Sequence, residues 1–253
     1  MISSRRSRAY TAVAAGAALI GLSACGGGSS NSADGGGDAD PIEVVSQPDY
    51  EGKPIDLDLP THSSGAFEFD KWPSACALTD EESVKAVLPG VVEIGQKPTP
   101  TKMTIISIGS GGGNEENTIP EGMCLTSTGF DLDGLRLDDG NVVVNLTTRI
   151  LQAGDADYIK KNGELPQGEE KFDLGEAKCV QAPQNITCGL ENIVFEMNID
   201  ARLYEQYGHP EGSLYSVNGE EIDYSSDTEG FMTMSEEKIL KPIAEIAVGR
   251  LSS

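Results

Sequence analysis

The sequence predicts an α+β domain: a twisted, mainly antiparallel sheet with helices packed on one face, stapled by disulfides. Three observations predict this class. Helical and β-rich segments follow one another in the order helix, strands, helix, strands, helix. Turn sequences such as Asp138–Asn141 separate neighbouring strand segments, as in antiparallel hairpins. Four cysteines lie in the same part of the chain, residues 66–253, which is long enough to bury a hydrophobic core.

The N-terminus has the pattern of a bacterial export signal. Residues 1–8 contain three arginines and no acid, and residues 11–22 form an apolar stretch without a charge. That stretch is shorter than the run of about 20 apolar residues that a membrane-spanning helix needs. The run Leu22-Ser23-Ala24-Cys25 resembles the lipobox of bacterial lipoproteins. This resemblance implies that the Cys25 thiol receives a diacylglycerol and that the chain is cut before Cys25.

The lipobox divides this region into a signal peptide, residues 1–24, and a lipidated Cys25. Several acyl chains hold a domain stably on a membrane, where one chain would hold it only marginally. We therefore expect a protein anchored in the lipid bilayer through acylated Cys25, on the extracytoplasmic face of the cell membrane. An ordinary cleaved signal peptide with a chance cysteine is the alternative. The pair Arg5-Arg6 leaves open the choice between general and twin-arginine export.

Residues 25–65 have the composition of a flexible tether. Glycine and serine dominate the tract after Cys25, and four prolines occur between residues 41 and 60. Few apolar residues are adjacent here, so the stretch has little to bury. The expected organisation is therefore a signal peptide, a tether from Cys25 to residue 65, and an extracytoplasmic domain over residues 66–253.

The chain is strongly acidic. It has 41 Asp and Glu against 18 Lys and Arg, a formal charge of −23. Removal of the three signal-peptide arginines leaves 15 Lys and Arg against 41 acids, or −26. This balance argues against nucleic acid as a partner and against electrostatic docking on anionic lipid headgroups. It permits cationic partners or loosely held divalent cations, and the alternative is a solvated acidic surface that keeps an exported protein soluble.

Four cysteines besides Cys25 suggest two disulfides in an exported chain. Three pairings are possible. The turn sequence Ala182–Asn185 lies midway between Cys179 and Cys188, which would then lie opposite each other in a hairpin, at a separation that a disulfide accepts. That pairing leaves Cys76 with Cys124. A zinc site is the rival interpretation, but the sequence has no CxxC pair.

The first predicted helix begins at a capping box. The Thr79 hydroxyl can accept from the backbone amide of Glu82, and Pro89-Gly90 ends the helix. Three β-rich segments follow, at Val91–Gln96, Met103–Ile108 and Met123–Phe130.

The central segments predict a hairpin and a half-buried strand. Leu135–Leu137 and Val142–Leu151 flank Asp138–Asn141, where an Asp-Gly pair favours a tight turn. Farther along, apolar residues alternate with polar ones, which predicts one core-facing side made of Ile193, Phe195, Met197 and Ile199.

Two further helices are predicted, and Asp200–Gly208 is another candidate. Gly154-Asp155 to Gly163 has the pattern of a short capped helix. Near the C-terminus, Ile239, Ile243 and Ile246 form a helical stripe. Pro242 within that stripe predicts a kink or a restart of the helix.

The segment Trp72-Pro73-Ser74-Ala75-Cys76-Ala77-Leu78-Thr79-Asp80 resembles the opening motif of an uncharacterised lipoprotein family of actinobacteria, a domain of unknown function. Members share a cysteine after a proline, a Leu-Thr pair and an acidic helix. A second cysteine near a strand and a C-terminal helix follow, corresponding here to Cys124 and Ile239–Leu251. The resemblance covers approximately residues 70–251. It implies an envelope location and this kind of fold, and it implies no activity.

The chemistry-bearing residues do not form a recognisable array. His62 lies in the expected tether, and His209 lies next to Pro210 in a predicted turn. The glycine-rich run Ile108–Asn114 lacks the Lys-Ser/Thr pair of a phosphate loop. Asp131–Gly134 begins like a calcium loop, but leucines follow where oxygen ligands are needed. We therefore predict no catalytic, cofactor-binding or metal-ligating residues.

These observations predict a non-catalytic module of the cell envelope that binds a ligand or an envelope protein. A hydrolase with a site assembled from distant residues is one alternative, and an accessory or structural lipoprotein is the other. Loops on a rigid sheet commonly carry recognition. The candidate contact segments are therefore the loop Gly109–Asn117 and the tyrosine-rich segment Tyr204–Ser226.

Overall fold

The computed structural model describes residues 41–106, 114–132, 135–137, 144–167, 170–201, 214–224 and 226–252. Several predictions fall outside the described residues: the export signal with Cys25, the turn at Asp138–Asn141, His209 and residues 108–113 of the glycine-rich run. Within the described ranges, no helix is long and apolar enough to cross a membrane.

The strands of the described chain form two sheets. Their bounds are β1 Ile42–Val44, β2 Val91–Ile106, β3 Asn114–Leu132, β4 Leu135–Leu137, β5 Val144–Ala153, β6 Glu170–Leu174, β7 Ala177–Ala182, β8 Asn185–Gly189, β9 Ile193–Ala201, β10 Leu214–Val217 and β11 Glu220–Asp223. The larger sheet is antiparallel, in the order β2-β3-β5-β9-β8-β7-β6, with β4 paired to β3. In the smaller sheet β1 runs parallel to β10, which pairs antiparallel with β11.

Two strand predictions need correction. The predicted segment at 91–96 and the described part of the next one, 103–106, belong to one long edge strand, β2, which contains Pro98 and Pro100. An edge strand tolerates proline because the backbone groups on its outer side donate no hydrogen bonds to a neighbouring strand. The predicted hairpin of β4 with β5 is wrong, since both strands pair antiparallel with β3 and therefore run in the same direction.

The helices are α1 Ala75–Leu78, α2 Glu81–Val87, α3 Ala156–Asn162, α4 Thr228–Met234 and α5 Lys241–Leu251. The core lies between the larger sheet and α1, α2 and the C-terminal helices. The central strands alternate as predicted, with buried side chains at Val144, Leu146, Ile150, Ile193, Phe195, Met197 and Ile199. The predicted disulfide-stapled α+β fold is therefore confirmed.

The predicted cap of α2 is off by one residue. Asp80 is the N-cap, and its side chain accepts from the Ser83 backbone N–H. Thr79 instead ends α1 and is fully buried, with its hydroxyl 3.3 Å from that of Thr148 in β5. Burial against the sheet turns the Thr79 side chain inward, and the neighbouring aspartate takes over the capping.

The C-terminal helical run contains a π-helical turn at Ser235–Leu240, directly before α5. Lys241 donates its N–H to the carbonyl of Glu236, five residues back. Pro242 follows, near the start of α5, where its missing N–H costs least. The predicted kink or restart at Pro242 thus takes the form of a π-helical turn, a common way to interrupt an α-helix.

The short helix α3 forms as predicted, with Asp155 as its N-cap. It packs in a separate small cluster, in which Tyr158 and Ile159 contact Ala66 and Val194. Val194 alternates with the core-facing residues of β9, so α3 covers part of the other side of the sheet.

Both predicted disulfides are present. Cys179 and Cys188 lie opposite each other in the β7–β8 ladder, with Cα atoms 4.1 Å apart. Cys76 in α1 bonds Cys124 in β3 across a sequence separation of 48 residues. Cys76–Cys124 therefore links α1 to the larger sheet, while Cys179–Cys188 links the two strands of a single hairpin.

The predicted tether extends too far along the chain. Residues 41–59, here named the N-terminal strap, belong to the folded domain rather than to a tether ending at residue 65. Val45 donates its N–H to the Val87 carbonyl at 2.8 Å, and β1 joins the smaller sheet. Ile42 and Val44 are buried, with 3% and 0% of their surface exposed. The burial of these two side chains stabilises the packing of the strap on the domain, although the strap contains few apolar residues.

Candidate functional site

The first part of the N-terminal strap is tied to the β10–β11 turn. Ser46 donates its N–H to Asn218 Oδ1 at 2.9 Å, and Asn218 Nδ2 donates to Ser46 Oγ at 2.8 Å. The Asn218 N–H donates to the Val44 carbonyl at 2.9 Å. Asn218 has φ of 53°, a left-handed conformation that asparagine tolerates. One turn residue thus fixes the strap to the smaller sheet.

Arg250 holds the next part of the strap. Its side chain is only 6% exposed, and Nη2 lies 2.9 Å from Asp80 Oδ2. Nε donates to the Lys53 carbonyl at 2.8 Å, and Nη1 donates to the Ala77 carbonyl at 2.6 Å. Ile55 donates its N–H back to the Arg250 carbonyl at 2.8 Å. The buried guanidinium is therefore paired and hydrogen-bonded, and it joins the strap, α1 and α2 to α5.

We name Arg250 together with its acceptors, Asp80 and the carbonyls of Lys53 and Ala77, the clasp. Asp80 Oδ1 accepts from the Ser83 N–H at 2.9 Å and from the Ser83 hydroxyl at 2.5 Å. Burial, and then the negative charge of Asp80, raise the pKa of the Tyr50 phenol, while the Arg250 charge acts in the opposite direction. Tyr50 is therefore neutral at physiological pH and presents a ring and a hydroxyl.

A groove of about 810 Å³ lies between the strap and α5, and we name it the strap groove. The strap wall consists of Gln47, Pro48, Tyr50, Glu51, Gly52 and Pro54. The helix wall consists of Pro242, Glu245, Ile246 and Gly249, a spacing that places them on one face. Its volume falls within the range of about 300–1,000 Å³ typical of small-molecule sites.

Two glycines shape the strap groove. Gly52 has φ of 73°, and a Cβ at this position would lie 2.6 Å from Arg250 Cδ. Glycine therefore lets the strap lie directly on the clasp. Gly249 is the opposite case, because a Cβ there would have no heavy atom within 4 Å. A Cβ at position 249 would therefore have open space on the wall of the groove.

A second cavity, of about 570 Å³, lies between the β10–β11 hairpin and the C-terminal helices. Its hairpin side is made of Val217, Ile222 and Tyr224. Burial, and then the charges of Asp227 and Glu220, raise the pKa of Tyr224. This cavity, named the hairpin cleft, brings the described part of the predicted segment Tyr204–Ser226 onto a concave surface.

The other residues considered from the sequence do not meet in a common site. Of the loop Gly109–Asn117, the structure describes residues 114–117, which belong to β3. His62 lies in a turn rather than in a tether, with Nδ1 3.1 Å from Ser64 Oγ and its ring 5.9 Å from that of Phe69. Among the described residues, no three His, Cys, Asp or Glu side chains are grouped so that they could hold a metal ion.

The strap residues were missed because their pattern is short. Ile55, Leu57 and Leu59 alternate with Asp56 and Asp58, and the three apolar residues pack against the core. This period-two alternation is typical of an extended segment with one buried side. It could have indicated an ordered strap, although neither Tyr50 nor the glycines that shape the groove stand out in sequence.

The strap groove and the hairpin cleft are the structural features on which a functional assignment can rest. Comparison with known proteins finds no family model, curated protein or solved structure that matches this chain.

Proposed function

We propose that this chain is a lipid-anchored lipoprotein of the extracytoplasmic face of the cell membrane, and that its domain binds a small ligand in the strap groove without catalysing a reaction. The anchor would be the acylated Cys25, for which the lipobox Leu22–Cys25 is the support. Two disulfides are typical of exported proteins and fit this location.

The observation that carries the binding function is the construction of the strap groove. Both walls are fixed by the same buried guanidinium, because Arg250 belongs to α5 and bonds the Lys53 carbonyl of the strap. Apolar surfaces of Tyr50 and Ile246 line the groove together with several polar groups. A preformed concavity of this size is typical of ligand sites, and little conformational entropy is lost when a ligand binds to it.

The groove is tested by filling it at Gly249. Gly249→Leu places an apolar side chain in the groove, and Gly249→Ala is the matched control with the same gain in helix propensity but little added bulk. Envelope metabolites and cell-wall extracts are screened by thermal shift against the natural protein and both variants. A ligand at about 100 times its Kd should raise Tm by roughly 5–10 °C in the natural protein and in Gly249→Ala. Gly249→Leu should remove most of that shift.

Two results would count against the binding function. A ligand whose thermal shift is the same in Gly249→Leu binds somewhere else, for example in the hairpin cleft. Turnover of an ester, peptide or glycan that one point substitution abolishes would show that the protein is an enzyme. The second result would replace binding by the hydrolase alternative.

The anchor is tested independently of the groove. Mass spectrometry of the N-terminal peptide from native membranes should show acyl mass on Cys25. Cys25→Ala should leave the protein unprocessed or shed from the membrane. A mature N-terminus at another residue, without acyl mass, contradicts the lipoprotein assignment. It does not affect the proposal that the strap groove binds a ligand.

A further inference from the structure

The charged groups that line the strap groove are of one sign. Glu51 lies on the strap wall and Glu245 on the helix wall, and both are exposed. None of the described residues lining the groove is Lys, Arg or His. The nearby guanidinium of Arg250 is buried, and its donors bond Asp80 and main-chain carbonyls. An anion entering the groove would therefore meet two carboxylates and no positively charged residue among those that line it.

Aromatic and apolar residues also line this groove. The ring of Tyr50 lies on one wall, and Ile246 and Pro242 lie on the other. A cation near the face of an aromatic ring is attracted by the ring quadrupole, in addition to its attraction to a carboxylate. The acidic surface of the whole chain, with 41 acids, also raises the local concentration of cations.

We propose that the strap groove selects an organic cation, an ammonium or guanidinium group attached to an apolar body about the size of an aromatic ring. This proposal rests on the proposed function, since it names the ligand class of the same groove. Glu51 and Glu245 provide the counter-charge, while Tyr50, Ile246 and Pro242 contact the apolar body. Anions of the same shape are rejected because the carboxylates repel them.

Three probes of one shape test the charge preference: 4-phenylbutylamine, 4-phenylbutanol and 4-phenylbutyrate. Their affinities are measured by titration calorimetry with the mature chain, residues 25–253, carrying Cys25→Ser so that no lipid competes for the probes. The amine should bind at least tenfold more tightly than the alcohol at low ionic strength. The carboxylate should bind more weakly than the alcohol. High salt should narrow the difference, because the carboxylates of the groove are exposed.

Charge-neutral variants locate the effect. The double substitution Glu51→Gln and Glu245→Gln should bring the amine to the affinity of the alcohol and leave the alcohol unchanged. The matched control is Glu43→Gln with Glu191→Gln, which removes two exposed acids away from the groove. The control should keep most of the tenfold preference. An equal loss in both double variants would assign the preference to the net charge of the protein and overturn the proposal.

The variant Gly249→Leu separates failure of the ligand class from failure of the site. Equal binding of amine and alcohol, with both lost in Gly249→Leu, would overturn the cation preference and retain the groove as a binding site. Probe binding that Gly249→Leu does not weaken would remove the groove itself as the site. No binding of the amine by the natural chain would overturn the assignment for this ligand class.

Discussion

Arg250 and Asp80 form an ion pair between the last helix and the cap of the second, with Nη2 and Oδ2 2.9 Å apart. The arginine is almost completely buried, while 31% of the aspartate side chain is exposed. Because the same guanidinium also bonds the carbonyls of Lys53 and Ala77, it holds three distant segments in one place.

Arg250→Ala should lower the free energy of unfolding by about 3 kcal/mol, since it leaves the carbonyls of Lys53 and Ala77 without these donors and Asp80 Oδ2 without its ion-pair partner. Urea unfolding measures this loss. The control is Lys178→Ala, which removes a pair with Asp173 whose side chains are 72% and 61% exposed. That substitution should cost less than about 1 kcal/mol. Similar losses for both variants would contradict a stabilising role of the clasp.

Gly52→Ala should be more destabilising than Gly219→Ala, although both glycines have positive φ. At Gly219 nothing lies within 4 Å of an added Cβ, so only the backbone strain of about 1–2 kcal/mol is expected. At Gly52 the methyl group also meets the clamped Arg250 side chain and should add about 1 kcal/mol or more. Urea unfolding of the two variants gives the difference. Equal destabilisation would mean that the strap moves away from the clasp easily.

Removal of the Cys76–Cys124 disulfide should cost more stability than removal of Cys179–Cys188. The sequence separations are 48 and 9 residues. The chain-entropy account gives about 4 kcal/mol for the longer loop and about 2.6 kcal/mol for the shorter one. Paired alanine substitutions, compared by urea unfolding, test this order. The reverse order would show that native contacts around the hairpin outweigh loop entropy, and non-reducing peptide mapping checks the pairing itself.

A chain that begins at residue 66 should be less stable than one that begins at residue 41. The shorter chain lacks the N-terminal strap, including the buried Ile42 and Val44. Burial of two such side chains contributes about 3–6 kcal/mol. Urea unfolding of both chains measures the difference. Equal midpoints would restore the prediction that the tether ends at residue 65.

Stability should fall at alkaline pH because of Tyr215, which is fully buried in β10. Burial raises the pKa of its phenol well above the ordinary value of 10. The unfolded chain loses this proton above about pH 10, while the folded chain keeps it. The contribution of Tyr215 to the free energy of unfolding is therefore complete below pH 10 and declines above it. Tyr215→Phe should make the free energy of unfolding fall less steeply with pH, by up to about 1.4 kcal/mol per pH unit. Urea unfolding between pH 9 and 11 tests this, and an unchanged slope contradicts it.

Much of the framework was predictable from local patterns. The alternation from Ile193 to Ile199 indicated a strand with one buried side, and the turn between Cys179 and Cys188 indicated a hairpin that places the two cysteines in register. Such patterns are readable because a strand has a period of two and a tight turn depends on a few adjacent residues.

Where local signals competed, the sequence was less informative. Thr79 and Asp80 are both good caps, and only the packing of Thr79 against Thr148 decided that Asp80 caps α2. The partner of β4 was likewise set by tertiary structure, because β4 pairs with β3. The residues at Asp138–Asn141 alone could not reveal this pairing.

The sequence by itself determined the α+β class, the acidic charge balance and the hairpin that pairs Cys179 with Cys188, because each depends on composition or on residues close together in the chain. Only the tertiary structure decided that the N-terminal strap belongs to the folded domain and where the groove lies. Both depend on Arg250, whose acceptors on Lys53, Ala77 and Asp80 come from distant segments. A buried charge selects its partners by position in space, and no local periodicity records that choice.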